Sequence, residues 1–238
     1  MSLRVPAIER KAEENVSKWL HAEHSQKRLA RLNRHNLHNN VGPYITLARE
    51  TGAGGSELAK MVATRMQWDI LDNEIVDYLE QHYGTPRCVI QQFDEKHQNW
   101  LSQILTSQIS GLGFSEWTYT HRVSKLVLLA ASHGNVVIVG RGARFILPRH
   151  HGLSVRVMAP LDFRVDQVIR QQGLSEKEAH QYIVEKDRQR KNYIKEHFHQ
   201  DTEDPHLYDV VINVDKVTLD AAATMIVDAA SHWLNKAA

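Results

Sequence analysis

Ten residues, Ala48-Arg49-Glu50-Thr51-Gly52-Ala53-Gly54-Gly55-Ser56-Glu57, constrain this chain more than any other stretch. They join a strand-like apolar run at 44–48 to a helix-like stretch at 57–66 that sets Leu58, Val62 and Met66 on one face. Glycines let the backbone bend so that successive N–H groups face one concavity, and the start of a helix adds partial positive charge. Phosphate is the natural guest of such a turn. A tight turn with no ligand is the plainer alternative.

The pattern around the turn sets the architecture. Short apolar runs at 69–71, 136–139, 155–158 and 210–214 read as strands, and the last three have the β-branched richness of strands buried on both faces. Helical stretches at about 162–172, 175–197 and 216–234 separate them, which predicts an α/β sandwich around a parallel sheet. The interval 73–135 reads as a mostly helical insert. Residues 7–32 read as a further helix, with Ile8, Ala12, Val16, Trp19 and Leu20 at spacings of three or four. The polar run at 35–40, followed by Gly42-Pro43, marks a linker. This predicts an N-terminal extension over 1–40 and a main domain over 41–238.

Charge and cysteine content exclude several classes of function. The chain has 29 Lys+Arg against 28 Asp+Glu, so no nucleic-acid partner is expected. Residues 1–40 nevertheless carry eight Lys/Arg and four Glu, and the rest is net negative. The basic segment 27–34 could face an acidic partner; packing on the main domain, or on a second copy in a homodimer, is the preferred reading. Cys88 is the single cysteine and has only Arg87 as a local cation, which predicts neither a disulfide nor a catalytic thiol. Apolar runs are too short to span a bilayer and residues 1–20 lack a signal core, so no membrane role is expected and a cytoplasmic protein is. Fifteen histidines include ligand-like spacings such as His197-x-His199, but no convergent set emerges, and surface histidines are the reading adopted.

Two phosphate-binding templates compete for the glycine turn. A dinucleotide fingerprint would use Gly52 and Gly54, with Asp72 twenty residues on as a ribose-binding acid, but puts Glu57 at its third glycine. The pattern G-x-x-x-x-G-K-[ST] puts its second glycine on Gly54 and its hydroxyl on Ser56, yet has Arg49 for its first glycine and Gly55 for its lysine. The turn alone leaves both open.

Longer stretches decide between them. The segment from Ile45 to Gly55, Gln67-Trp68-Asp69-Ile70-Leu71-Asp72, and the run VVIVGRGA from Val136 to Ala143 resemble the cytidylate kinase-like family of P-loop nucleoside monophosphate kinases. So do Ala159-Pro160-Leu161-Asp162-Phe163-Arg164, the segment from Gly173 to Ala179, and the segment from Leu207 to Asn213. The resemblance implies a three-layer α/β sandwich around a roughly five-stranded parallel sheet, with ATP as co-substrate, Mg²⁺ as cofactor and nucleotides as partners. It implies that Arg49, Gly52, Ala53, Gly54, Gly55 and Ser56 cradle the ATP phosphates, with Ser56 also turned to Mg²⁺. Asp72, Arg141 and Arg144 would hold the acceptor. Arg188 and Arg190, in a lid over about 175–200, would close with Arg141 on the transferring phosphoryl group.

Departures from the pattern are concentrated at the site. Gly55 stands for the lysine, Gly142 for an acid after Gly140-Arg141, Asn73 for a serine and Tyr78 for an arginine. Two functions are therefore carried forward: phosphoryl transfer to a nucleoside monophosphate or related acceptor, and a nucleotide-binding regulator that keeps the fold without catalysis.

Overall fold

The computed structural model describes residues 11–12, 14–15, 17–19, 41–72 and 114–237. In chain order the elements are β1 (Tyr44–Arg49), α1 (Gly55–Met66), β2 (Asp69–Leu71), α2 (Phe114–His133), β3 (Val136–Val139) and the short α3 (Ala143–Ile146). They continue as β4 (Gly152–Met158), α4 (Leu161–Gln172), α5 (Glu176–Phe198), β5 (Val210–Asn213) and α6 (Leu219–Ala237). The five strands form one parallel sheet in the order β2-β3-β1-β4-β5. Consecutive residues of β3, and Tyr44 to Leu47 of β1, are all buried, so both faces of the sheet are covered. Helix α1 lies against β1, β2, β3 and α6, while α2 packs on β3.

Register brings the strand ends to one rim. Leu47 pairs with Val139 on one side and with Val155 on the other. Gly140 N–H donates to Leu47 O at 3.0 Å and Glu50 N–H to Val157 O at 3.0 Å, so the segments leaving β1, β3 and β4 begin side by side. Ligands of such sheets sit at these carboxyl ends.

Two strand readings need correction. Strand β4 begins at Gly152, earlier than the expected start at 155, because Gly152, Leu153 and Ser154 pair with Tyr44, Ile45 and Thr46. Strand β5 is the sheet's edge and is not buried on both faces: Val211 stays 41% exposed. Helix α5, where the lid was expected, runs from Glu176 to Phe198 and starts with a capping box, in which Ser175 Oγ accepts from Glu178 N–H and Glu178 Oε2 accepts from Ser175 N–H.

Residues 11–12, 14–15 and 17–19 are helical. Ala12, Asn15 and Trp19 are buried, and Asn15 Nδ2 donates to Ile70 O on β2 at 3.1 Å. Asp69 takes Lys18 Nζ at 2.7 Å and Trp19 Nε1 at 3.1 Å. Of the stripe expected on this helix, Ala12 and Trp19 thus pack within the chain, and Ile8, Val16 and Leu20 lie outside the described residues. The basic segment 27–34, Cys88, and the part of the insert over 73–113 lie outside the described residues. No described helix is long and apolar enough to cross a membrane.

Candidate active site

The glycine turn links β1 to α1, as the two flanking periodicities require. Gly52 and Gly54 both have positive φ, 82° and 72°, which turn the chain into the first turn of α1 without steric penalty. No side chain caps that helix, so the first-turn N–H groups keep their donors directed outward. Ser56 is exposed in the same turn, where its hydroxyl can reach a ligand.

Position 55 explains where the expected lysine went. A Cβ on Gly55 would lie 2.5 Å from Cβ and 2.7 Å from Cγ of Arg49, so the arginine stem fills the space a side chain there would take. At its far end, a Cβ on Gly140 would collide with Nη1 of Arg49. Arg49 therefore threads between two glycines, with its guanidinium at the end of β3. Burial pushes its pKa down to about 9, and Arg190 and Arg141 push the same way, opposed by Asp72 and Asp187. Because guanidinium holds its proton tenaciously, the depression marks a cation kept charged in a buried place beside other cations. A bound anion would relieve it.

Around this cation lies a cleft of about 720 Å³ at the strand ends, lined among others by Arg49, Arg141, Arg144, Arg190, Tyr182 and Tyr193. The structure brings Arg49, Arg141 and Arg190 together: burial, then Arg190 and Arg141, lower the pKa of Arg49, and burial, with a smaller push from Arg141, lowers that of Arg190. Arg141 follows β3 with φ 54°, a left-handed backbone that swings it to the rim. Asp72 is buried at the end of β2, with Lys60 Nζ 4.0 Å away. Arg144 lines the cleft too, but its Nε donates to Leu207 O at 2.6 Å, and burial pushes its pKa down. Arg188 is largely solvated: Glu185 Oε2 accepts from its Nε at 3.0 Å and from its Nη2 at 2.7 Å.

Arg190 points inward. Its Nη1 donates to Thr51 Oγ1 at 2.7 Å and lies 3.4 Å from Asp187 Oδ1. Asp187 Oδ1 also accepts from the N–H of Thr51 at 2.9 Å and from its hydroxyl at 2.7 Å. Arg164, on α4, donates to Asp187 Oδ2 at 2.6 Å, to Thr51 O at 3.3 Å and to Ala159 O at 2.9 Å. Glu50 Oε2 accepts from Ala159 N–H at 3.2 Å, and its other oxygen lies 3.4 Å from Arg156. Sequence reasoning named neither Thr51 nor Asp187 as a site residue. Their signal was faint: a hydroxyl inside the glycine turn, and one acid inside the basic run 186–191.

The acid missing at position 142 also has a spatial reason. A Cβ there would run into the ring of Phe198, which stacks on Phe145 at 5.4 Å between centroids. His197 corrects the surface-histidine reading, being buried with its ring 4.3 Å from that of Tyr193. Among the described residues no group of three or more His, Cys, Asp or Glu converges as a metal cage.

Comparison with known proteins bears on the family and the fold. The model of the cytidylate kinase-like family matches residues 44–216. Cytidylate kinase of Pyrococcus horikoshii is 29% identical over 110 residues, covering 46% of this chain and 57% of that protein. The enzyme of Thermococcus sibiricus is 31% identical over 124 residues, or 50% and 64%. The chain thus spans less than two thirds of these two curated relatives, but it spans 94% of the cytidylate kinase of Methanocaldococcus jannaschii, at 22% identity and with 76% of this chain covered. A crystal structure of an uncharacterized protein from Eubacterium ventriosum shares the fold, with a TM-score of 0.64 at 24% identity over 79% of this chain and 98% of that one. With 173 consecutive residues matched by one family model, the chain belongs to the cytidylate kinase-like family.

Proposed function

We propose that this protein is a cytoplasmic kinase that moves the γ-phosphoryl group of ATP, with Mg²⁺, onto a nucleoside monophosphate or a related small phosphate acceptor. The observation that carries this reading is Arg49, threaded between Gly55 and Gly140 and clustered with Arg141 and Arg190 at the strand ends. A loop without its lysine argued for a catalytically silent regulator. The stem of Arg49 fills the space of a side chain at 55 and its guanidinium supplies a cation at the end of β3, which weakens the main support for that alternative.

The roles follow from charge. Phosphoryl transfer needs positioning and fixed positive charge around the equatorial oxygens, with little covalent work by the protein. The amides of Gly52, Ala53, Gly54 and Gly55 would hold the ATP phosphates, with Arg49 beside them. Arg141 and Asp72 would orient the acceptor, with Arg144 behind them. Arg190, and Arg188 once released from Glu185, would neutralise the transferring group. Ser56 suits Mg²⁺, which needs few protein ligands and keeps its waters and substrate phosphates; the metal would supply charge neutralisation between phosphate oxygens.

The test is ADP release from ATP and Mg²⁺ with a panel of nucleoside monophosphates. Turnover is expected with at least one acceptor. Arg49→Ala and Arg190→Ala are each expected to lose roughly 10²–10³ in kcat, the scale of removing one preorganised donor. ATP binding without turnover on any acceptor would sink the enzyme reading.

A further inference from the structure

We infer that Asp187 is a latch that competes with the terminal phosphate of ATP for the phosphate loop, so that nucleotide binding releases Arg190 for catalysis. The inference rests on the proposed nucleotide site and names how that site is regulated.

The argument starts from one donor. Thr51 lies in the loop between Arg49 and Gly52, and its N–H donates to Asp187 Oδ1 at 2.9 Å. That amide makes one good hydrogen bond, and a carboxylate and a phosphate oxygen are both strong acceptors for it. They cannot share it. Their negative charges would also repel at such separation in a partly buried cleft. The same carboxylate engages the Thr51 hydroxyl at 2.7 Å, and that hydroxyl accepts from Arg190 at 2.7 Å. Lid helix and loop are thereby joined through one side chain.

Asp187 has a second place to stay. Its Oδ2 accepts from Arg164 Nη1 at 2.6 Å, and Arg164 is itself anchored on Ala159 O and Thr51 O. Leaving the amide therefore does not strand the carboxylate in the cleft. Once Oδ1 is displaced, Arg190 loses an acid at 3.4 Å that draws its guanidinium to the loop. Its guanidinium is then held to the loop by the Thr51 hydroxyl, a neutral acceptor that a charged phosphoryl oxygen outcompetes. One exchange at one N–H thus couples occupancy of the loop to delivery of the lid arginine, a coupling between two binding events that share a free energy.

Calorimetric titration with Mg-ATP and with inorganic tripolyphosphate tests this on wild type, Asp187→Asn and Glu203→Gln. Glu203 lines the same cleft but bonds Lys191 at 2.6 Å and does not contact the loop, so it reports the bare effect of removing a negative charge. Asp187→Asn is expected to bind both probes roughly 5- to 50-fold more tightly, within the usual range of such couplings. The gain should persist at about 0.5 M salt, where long-range fields are screened. Glu203→Gln should change affinity less than about twofold. Unchanged or weaker binding by a folded Asp187→Asn protein overturns the latch, as does an equal gain in Glu203→Gln. If neither wild type nor variant binds either probe, the nucleotide reading falls together with the latch; if both bind equally, the latch alone falls. Should circular dichroism show the asparagine variant unfolded, Asp187→Ser gives the same comparison.

Discussion

A methyl group on Gly55 would sit 2.5 Å from Cβ of Arg49, well inside contact distance, so one of the two residues has to move. Gly55→Ala is therefore expected to lower kcat/KM by roughly tenfold or more, through displacement of a cation whose full removal costs roughly 10²–10³. Gly55→Lys, although it writes the usual lysine into the loop, should fare no better alone. Adding Arg49→Gly clears the space, and the double variant is expected to recover at least part of the loss in steady-state assays. A single Gly55→Lys that equals or exceeds wild type would show that Arg49 is not in the lysine's place. The sequence displays both departures, the arginine at 49 and the glycine at 55, but not their dependence. Six positions separate them along the chain, and only the turn of the loop makes one the space of the other. The same holds for Phe198 and Gly142, which are far apart in sequence and touching in space.

Among the elements, α5 was readable because its start obeys local rules. Ser175 followed by Glu178 is a capping box, and the helix begins at Glu176 as that pattern requires. Ser175→Ala is expected to cost about 1 kcal/mol of stability, the usual worth of such a cap, and a shift in urea midpoint at constant slope would measure it. Strand β5 was misjudged as doubly buried because Val210-Val211-Ile212 is as apolar as a central strand. Whether a neighbour covers it depends on sheet order, which no local pattern encodes. Strand β4 began early for a related reason: Gly152 and Ser154 look like loop residues until their pairing with β1 is known. The two arginines of α5 divided as helical spacing allows. Arg188 pairs with Glu185 one turn away in solvent, while Arg190, two residues on, turns toward the loop.

On the scale of the molecule, a chain with almost balanced charge gathers cations in one cleft, and that concentration works against folding until an anion offsets it. Tripolyphosphate should therefore raise the melting temperature well beyond the effect of sodium chloride at equal ionic strength. At about a hundred times its dissociation constant the gain is about 2.7 kcal/mol, or roughly 5–10 °C for a chain of this size. Scanning fluorimetry would read it, and equal shifts from both salts would remove the case for a built anion site.

The helix around Asn15 and Trp19 bears on how the protein behaves in crowded solution. Strand β2 ends the sheet, and an uncovered end strand offers its backbone to any passing chain as a template for further pairing. Asn15 occupies the outward carbonyl of Ile70, and Trp19 lies buried with its ring nitrogen bonded to Asp69. A protein starting at residue 41 should therefore keep its cleft yet associate with itself as concentration rises, visible as growing light scattering against a steady signal from the full chain. The helix that carries Asn15 and Trp19 would then serve the protein by keeping its copies apart.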